Sequence, residues 1–518
     1  MGKKPNFIVI HTDQHRYDCT GIAGRRTGIY TPYIDSIAHQ GANFTSAYTD
    51  CPLCIPQRLS LLTGQTPARH GLFANVGIPY LPLETTLPAE MRRGGYQTAL
   101  VGRTMHTYPF NYSYGFEYYM PGDPSSDQKD KGDAFFRDLK EHSSKETGGY
   151  YGCGPHNNSR AAAPYHLPDE LHQSKWATNR ALEFLENRDC SRPYMLFVGY
   201  YAPHSPHNPP AEFFNRYYQR NDLDRPYIAP WDVPPASAGN VMARYTGMTD
   251  EDKRCLYAGY YGNIAFLDTQ VARLLQAAMD KNTYVIFTSD HGEMLGDHYL
   301  MQKNRPYEGA VHIPFMIMGP EISDGQQSDC PVGWTDIMPT ILDFAGLPIP
   351  DSVDGKSLAP MLRGADQTPV RAYMHGECTH DFMFDAKIRP QSDRRNFIYE
   401  KGSQFLTDGK MKYIWHVTSG REQLFDVEND FAESQDLSEN PAYAQELLLW
   451  RTRMIKELAG RPEGFSDGAN LIAGMEPRRT DARMAELMRQ RQSEGFSLAF
   501  ARNIRPEEKM AFAEHLCR

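Results

Sequence analysis

The chain has 518 residues, 40% of them hydrophobic, 23% charged and 12% aromatic, and carries a formal net charge of −10. That length exceeds what one small core needs and favours a large domain joined to a smaller one. The acidic balance excludes general nucleic-acid binding, which needs a basic face against phosphates, yet leaves room for a locally positive site that takes a small anion.

The first apolar stretch, Phe7 to Ile10, follows Lys3-Lys4-Pro5-Asn6 and runs at once into His11-Thr12-Asp13-Gln14. It is too short for a secretory h-region, and no later run approaches the roughly 18 residues that cross a bilayer, so a cytoplasmic protein without a membrane partner is expected. The nine cysteines fit that reading as reduced thiols, with only Cys51 and Cys54 close enough to form a motif. Three further apolar runs end in the same way. Thr98 to Val101 reaches Gly102-Arg103-Thr104-Met105-His106, Tyr194 to Val198 reaches Ala202-Pro203-His204, and Tyr284 to Phe287 reaches Ser289-Asp290-His291-Gly292. Runs of this kind suit strands buried on both faces, with helices between them expected over 174–187 and 263–280. The pattern predicts an α/β fold: a large mixed, mostly parallel sheet sandwiched by helices, over residues 1–365. Ligands of such sheets sit beyond the carboxyl ends of the strands, and four ends here each deliver Asp, His or Arg.

Beyond residue 365 the pattern changes. Asp408-Gly409 reads as a hairpin turn before the strand Met411 to Trp415, Glu422 to Asp426 as another strand, and Asn440-Pro441 as the start of a helix that stops at Gly460. A smaller α+β subdomain with an antiparallel sheet is expected over 366–460. A helical arm over 461–518, with patches around Met484 to Met488 and after Pro506, would be the place for a homo-oligomer contact.

The central segment is Cys51-Pro52-Leu53-Cys54-Ile55-Pro56-Gln57-Arg58. Pro56 suits the first turn of a helix, with Leu59, Leu61 and Leu62 inward, which places Cys54 just before a helix N-terminus where an anion is favoured. Arg58, one turn on, adds a fixed charge and a bidentate donor. The segment is open to being a buried cysteine beside a cap or a Cys-x-x-Cys site, although no second pair completes a zinc tetrahedron. Asp13 with Asp290 and His291 would make a hard, oxygen-rich site for a divalent cation. Asn75 could hydrogen-bond an anion, although a loop asparagine also serves as a turn residue.

Cys54-Ile55-Pro56-Gln57-Arg58, extended by Leu61-Leu62-Thr63-Gly64, resembles the Cys-x-Pro-x-Arg signature of type I sulfatases and their relatives the phosphonate monoester hydrolases, in the alkaline phosphatase superfamily. The resemblance implies oxidation of Cys54 to formylglycine by a separate maturation enzyme, with the hydrated aldehyde as nucleophile. It implies a metal shell of Asp13, Gln14, Asp290, His291 and the modified residue 54. The ion implied is Ca2+, with Mn2+ or Mg2+ as alternatives. It assigns Lys303 and Arg58 to the charge on the transferred group, His204 to the sulfate or leaving group with His207 as its rival, and Arg103 to the place of a family lysine. Arginine holds its proton too tightly to act as an acid, which leaves that role to His106 or His204. The activity implied is hydrolysis of a sulfate monoester of a carbohydrate or small organic alcohol. The alternatives are a phosphonate monoester or phosphodiester hydrolase with the same nucleophile, and a binding protein that keeps the fold. His375 and Glu377, near the domain boundary, are candidate substrate contacts.

Overall fold

The computed structural model describes residues 4–475 and 477, except for 74, 76–84, 106–112, 125–132, 143–148, 157, 233–244, 279–281 and 380–399. The larger sheet has eight strands: β1 (Asn6–Asp13), β2 (Gly41–Phe44), β3 (Gln97–Gly102), β4 (Tyr118–Pro121), β5 (Tyr194–Pro203), β6 (Thr283–Ser289), β7 (Phe315–Met318) and β8 (Gln326–Ser328). They lie in the order β4-β3-β5-β1-β6-β7-β2-β8, and only β7 runs against its neighbours. The four apolar runs of the sequence are β3, β5, β1 and β6, side by side and parallel at the centre. Their alternation separates two cores. Phe7 and Val9 pack with Leu61, Leu62, Ile337 and Ile341 on one face, while Ile8 and Ile10 pack with Ala177, Phe184, Leu267 and Val271 on the other.

The helix expected over 174–187 spans Gln173–Asn187. The one expected over 263–280 is longer at its start and spans Asp250–Ala277. Its first turns are polar and carry no apolar stripe, but Thr249 caps them: its Oγ1 accepts from the Asp252 N–H at 3.1 Å and its own N–H donates to Asp252 Oδ2 at 3.0 Å. Among the described residues, no helix is long and apolar enough to cross a membrane.

The smaller sheet is antiparallel throughout, with order β12-β11-β10-β9 for β9 (Met374–Thr379), β10 (Gly402–Thr407), β11 (Met411–His416) and β12 (Glu422–Asp426). Gly409 turns the β10–β11 hairpin with a φ of 85°, a conformation that favours glycine. The helix Ala444–Leu458 lays Trp450, Met454 and Leu458 against Tyr413, Trp415 and Leu424. The helical patches expected near Met484 and after Pro506 lie outside the described residues, as does any oligomer contact they make.

A buried ion network joins the two sheets. Lys412, on β11, sits 3.0 Å from Glu308 Oε1 and 2.5 Å from Glu433 Oε1, with all three side chains buried. Glu308 Oε2 lies 2.6 Å from His312 Nδ1, and Glu433 Oε2 accepts from the Glu308 N–H at 2.7 Å. Burial pushes the Glu433 carboxyl up to about 7, with Lys412 opposing that rise. Removing one partner of a buried ion pair strands the others without a counter-charge, so Lys412→Met is expected to cost ~3–5 kcal/mol in denaturant unfolding. A loss below ~1 kcal/mol would show that the network contributes little.

Candidate active site

Strand register brings the site together. β1 and β6 are parallel with Thr12 opposite Ser289, so the next residues, Asp13 and Asp290, leave adjacent strand ends at the same level. β5, on the other side of β1, pairs Pro203 with Asp13 and delivers His204, whose N–H donates to the Asp13 carbonyl at 3.1 Å. β3 delivers Arg103 after Gly102, whose φ is 89° and where a Cβ would collide with the Gly199 carbonyl oxygen. That approach allows only glycine there.

Opposite the strand ends stands the helix Cys54–Thr63. Cys54 is its first residue rather than the one before it, and Pro56 occupies the third position, where the missing N–H is one that has no partner within a helix. Asn75 caps this end: its Oδ1 accepts from the Ile55 N–H at 3.0 Å. An anion would accept from Asn75 Nδ2 and not from this oxygen, so the cap and an anion contact use different atoms of the amide.

Asp13, Cys54, Asp290 and His291 each offer a ligand atom within 4.8 Å of one another, and all four are buried. Cys54 Sγ lies 3.2 Å from His291 Nε2, 3.8 Å from Asp13 Oδ1 and 3.3 Å from Lys303 Nζ. His291 Nδ1 is 3.0 Å from the Gly292 carbonyl, which accepts its proton and leaves Nε2 facing the cluster. Two carboxylates and one open imidazole nitrogen, with residue 54 beside them, fit a divalent cation. Asp290 and Cys54 favour a protonated His291 against the effect of burial, a proton that a bound cation displaces.

Arginines hold the carboxylates. Arg58 Nη2 donates to Asp13 Oδ2 at 3.1 Å and to Asp290 Oδ2 at 2.9 Å, while Nη1 donates to the Thr104 carbonyl at 3.0 Å. Arg103 Nη2 lies 2.8 Å from Asp13 Oδ2, its Nη1 pairs with Asp123, and its guanidinium lies 4.5 Å from the Tyr201 ring centroid. Burial alone would raise the Asp13 carboxyl, but the charges of Arg103, Lys303 and Arg58 hold it well below the usual range. Burial and Asp13 push the Cys54 thiol up, yet Lys303 and His291 bring it below its ordinary value.

A family model described as Sulfatase matches residues 5–347, and one described as N-sulphoglucosamine sulphohydrolase, C-terminal, matches 296–459. An arylsulfatase of Clostridium perfringens is 34% identical over 497 residues, covering 91% of this chain and 98% of the relative. The chain belongs to the sulfatase family. A choline-sulfatase of Rhizobium meliloti is 29% identical, covering 85% of this sulfatase and 83% of the relative. The crystal structure of a phosphonate monoester hydrolase of Agrobacterium radiobacter shares the fold, with a TM-score of 0.69, 23% identity, and coverage of 92% of this chain and 100% of the other.

Several expected residues of the sulfatase pair with neighbouring side chains. Gln14, read as a metal ligand, turns its Oε1 to Lys303 Nζ at 3.1 Å and its Nε2 to Glu293. Arg58 and Arg103, read as anion contacts, face the carboxylates. His207 packs edge-on against Tyr260 at 5.7 Å, and its described contacts do not include the cluster. His375 and Glu377 line a separate cavity of 270 Å³ with Asp50, Arg371 and Arg461, where Arg461 Nη2 donates to Glu377 Oε2 at 2.8 Å. His106 lies outside the described residues. Asp123 and Glu293 were missed, although Glu293 closes the run Asp290-His291-Gly292-Glu293 and an acidic residue at such a strand end is a visible signal.

Arg58→Met leaves Asp290 facing Asp13 without the charge between them. The metal-free protein is expected to lose ~3–5 kcal/mol, and saturating Ca2+ to raise its melting temperature by more than it raises the parent's. Equal shifts in a chelator-against-calcium melt would reject this account of Arg58.

Proposed function

We propose that this sulfatase hydrolyses a sulfate monoester of a carbohydrate or small organic alcohol, with residue 54 as nucleophile and Asp13, Asp290 and His291 holding a divalent cation. The observation that carries the reading is the meeting of Cys54, at a helix N-terminus, with Lys303 at 3.3 Å and with Asp13, Asp290 and His291 in one buried cluster. Relatives named arylsulfatase and choline-sulfatase support a sulfate ester as the substrate class. Oxidation of Cys54 to formylglycine by a maturation enzyme would supply the attacking oxygen at this place, and a bound divalent ion, Ca2+ by its oxygen-rich donors, would neutralise charge on the substrate.

The remaining chemistry belongs to side chains already in position. Asp13 and Asp290 keep their ligand oxygens converged because Arg58 spans them and Arg103 braces Asp13. Lys303 places a fixed ammonium beside residue 54, where it meets the negative charge of the transferred group without reorganising. Its neighbours Cys54, Asp13 and Asp290 outweigh burial and raise its pKa, so it stays charged. His204 is the weaker element of the sequence reading. Its Nδ1 is 2.7 Å from the Ser205 carbonyl, and burial with Lys303 and Arg103 holds the ring neutral, so protonating a leaving oxygen from it would require a cationic ring that its surroundings oppose.

Protein made alongside the maturation enzyme is expected to yield a Cys54 peptide about 18 Da lighter than the thiol form, and to cleave aryl sulfate faster than phenyl phosphonate. A strong phosphonate preference, or an unmodified Cys54 in protein that still turns over, would reject the proposal. Lys303→Met is expected to lower kcat by ~10²–10³, measured on protein matched for aldehyde content.

A further inference from the structure

We propose that Glu293 is a positioning residue that fixes the Gln14 amide and, through it, the Lys303 ammonium beside residue 54; this rests on residue 54 being the nucleophile. Glu293 is 1% exposed and both of its oxygens are engaged. Oε2 accepts from Gln14 Nε2, while Oε1 accepts from the Leu295 N–H at 3.1 Å and from the Gln302 N–H. Gln14 Oε1 in turn accepts from Lys303 Nζ at 3.1 Å, and the same Nζ reaches Cys54 Sγ at 3.3 Å.

The direction of this chain is dictated by chemistry. An ionised carboxylate only accepts and an ammonium only donates, so an amide between them has one orientation, nitrogen toward Glu293 and oxygen toward Lys303. Gln14 adopts a φ of 72°, rare for a residue with a Cβ, and its N–H donates to Asp290 Oδ1 at 3.1 Å, so its side chain leaves the backbone from a fixed point. Glu293 also ties both ends of the turn that carries Lys303. That turn holds Leu295, His298, Tyr299 and Gln302 at positive φ, and Met294 N–H closes it on the Gln302 carbonyl at 2.7 Å. One carboxylate therefore sets the backbone that presents Lys303 and the acceptor that aims its ammonium.

A glutamine in place of Glu293 cannot do both. If its oxygen keeps the two N–H donors, its nitrogen faces Gln14 Nε2, and Gln14 must reverse and turn a donor on Lys303. If its oxygen serves Gln14, its nitrogen faces the Leu295 and Gln302 donors. Exchanging the two side chains solves the conflict. When Gln14→Glu is combined with Glu293→Gln, the introduced amide keeps the backbone donors and donates to the introduced carboxylate, whose second oxygen accepts from Lys303.

The test compares the parent, both single variants and the double exchange on 4-nitrophenyl sulfate at matched aldehyde content, with crystal structures of each. Each single variant is expected to lose about 10–100-fold in kcat, with Lys303 Nζ withdrawn from Gln14 or its replacement. The double exchange is expected to recover most of the loss and restore the contact. A double variant no better than the worse single one, or single variants at parental kcat with Lys303 in place, would overturn the proposal. Should Glu293→Gln fail to fold, Gln14→Met serves instead: losing the amide acceptor is expected to withdraw Lys303 and lower kcat to the same extent, and parental kcat there would overturn the role. Parental turnover abolished by Cys54→Ala establishes the nucleophile separately, so a failed rescue in an active parent counts against Glu293 alone.

Discussion

Two carboxylates buried side by side repel, and this protein is built around keeping them together. Asp13 and Asp290 are both fully buried, and strand register sets them at neighbouring ends where nothing apolar can separate them. Arg58 resolves the conflict by donating to both from one nitrogen. It also couples the carboxylates to residue 54. Arg58 follows Cys54 by one helical turn, so the ion pairs that hold the guanidinium between the strand ends also hold the helix N-terminus over them. The distance from residue 54 to the Asp13 and Asp290 oxygens is thus set by the same contact that stabilises the carboxylates.

A second set of constraints acts from the far side of residue 54. The Asn304 N–H donates to the Pro52 carbonyl at 3.1 Å, and Asn304 Nδ2 reaches the Thr379 carbonyl at 2.5 Å. The loop bearing Lys303 is therefore fastened to the segment before Cys54 and to β9 of the smaller sheet. Positive φ at several non-glycine residues in this loop is strain of the kind that persists only where surrounding bonds over-determine the backbone.

Much of the fold was legible because the central strands are buried on both faces and so read as continuous apolar runs. The short strands at the β8 end of the sheet carried no such signal. β8, Gln326–Ser328, is three polar residues, and β2, Gly41–Phe44, is as short as a turn. The start of the helix at Asp250 was hidden in polar residues whose cap, Thr249 with Asp252, is a sequence pattern in its own right. At the site, residue types and strand ends told which groups converge, as for Asp13, Cys54, Asp290 and His291. They did not tell which partner each group faces. A sequence shows Arg58, Arg103 and Asn75 as polar groups and conceals what they are paired with. Their partners, the Asp13 and Asp290 carboxylates for the arginines and the N–H of Ile55 for Asn75, are set only by the packed structure.

Lys412 reaches from the smaller sheet into a pocket made by Glu308 and Glu433, and Asn304 ties the larger domain to β9. To swing the two sheets apart would draw an ammonium from its counter-ions through an apolar seam that includes Tyr307, Phe405, Ile414 and Phe425. The boundary between them is therefore a weld and not a hinge.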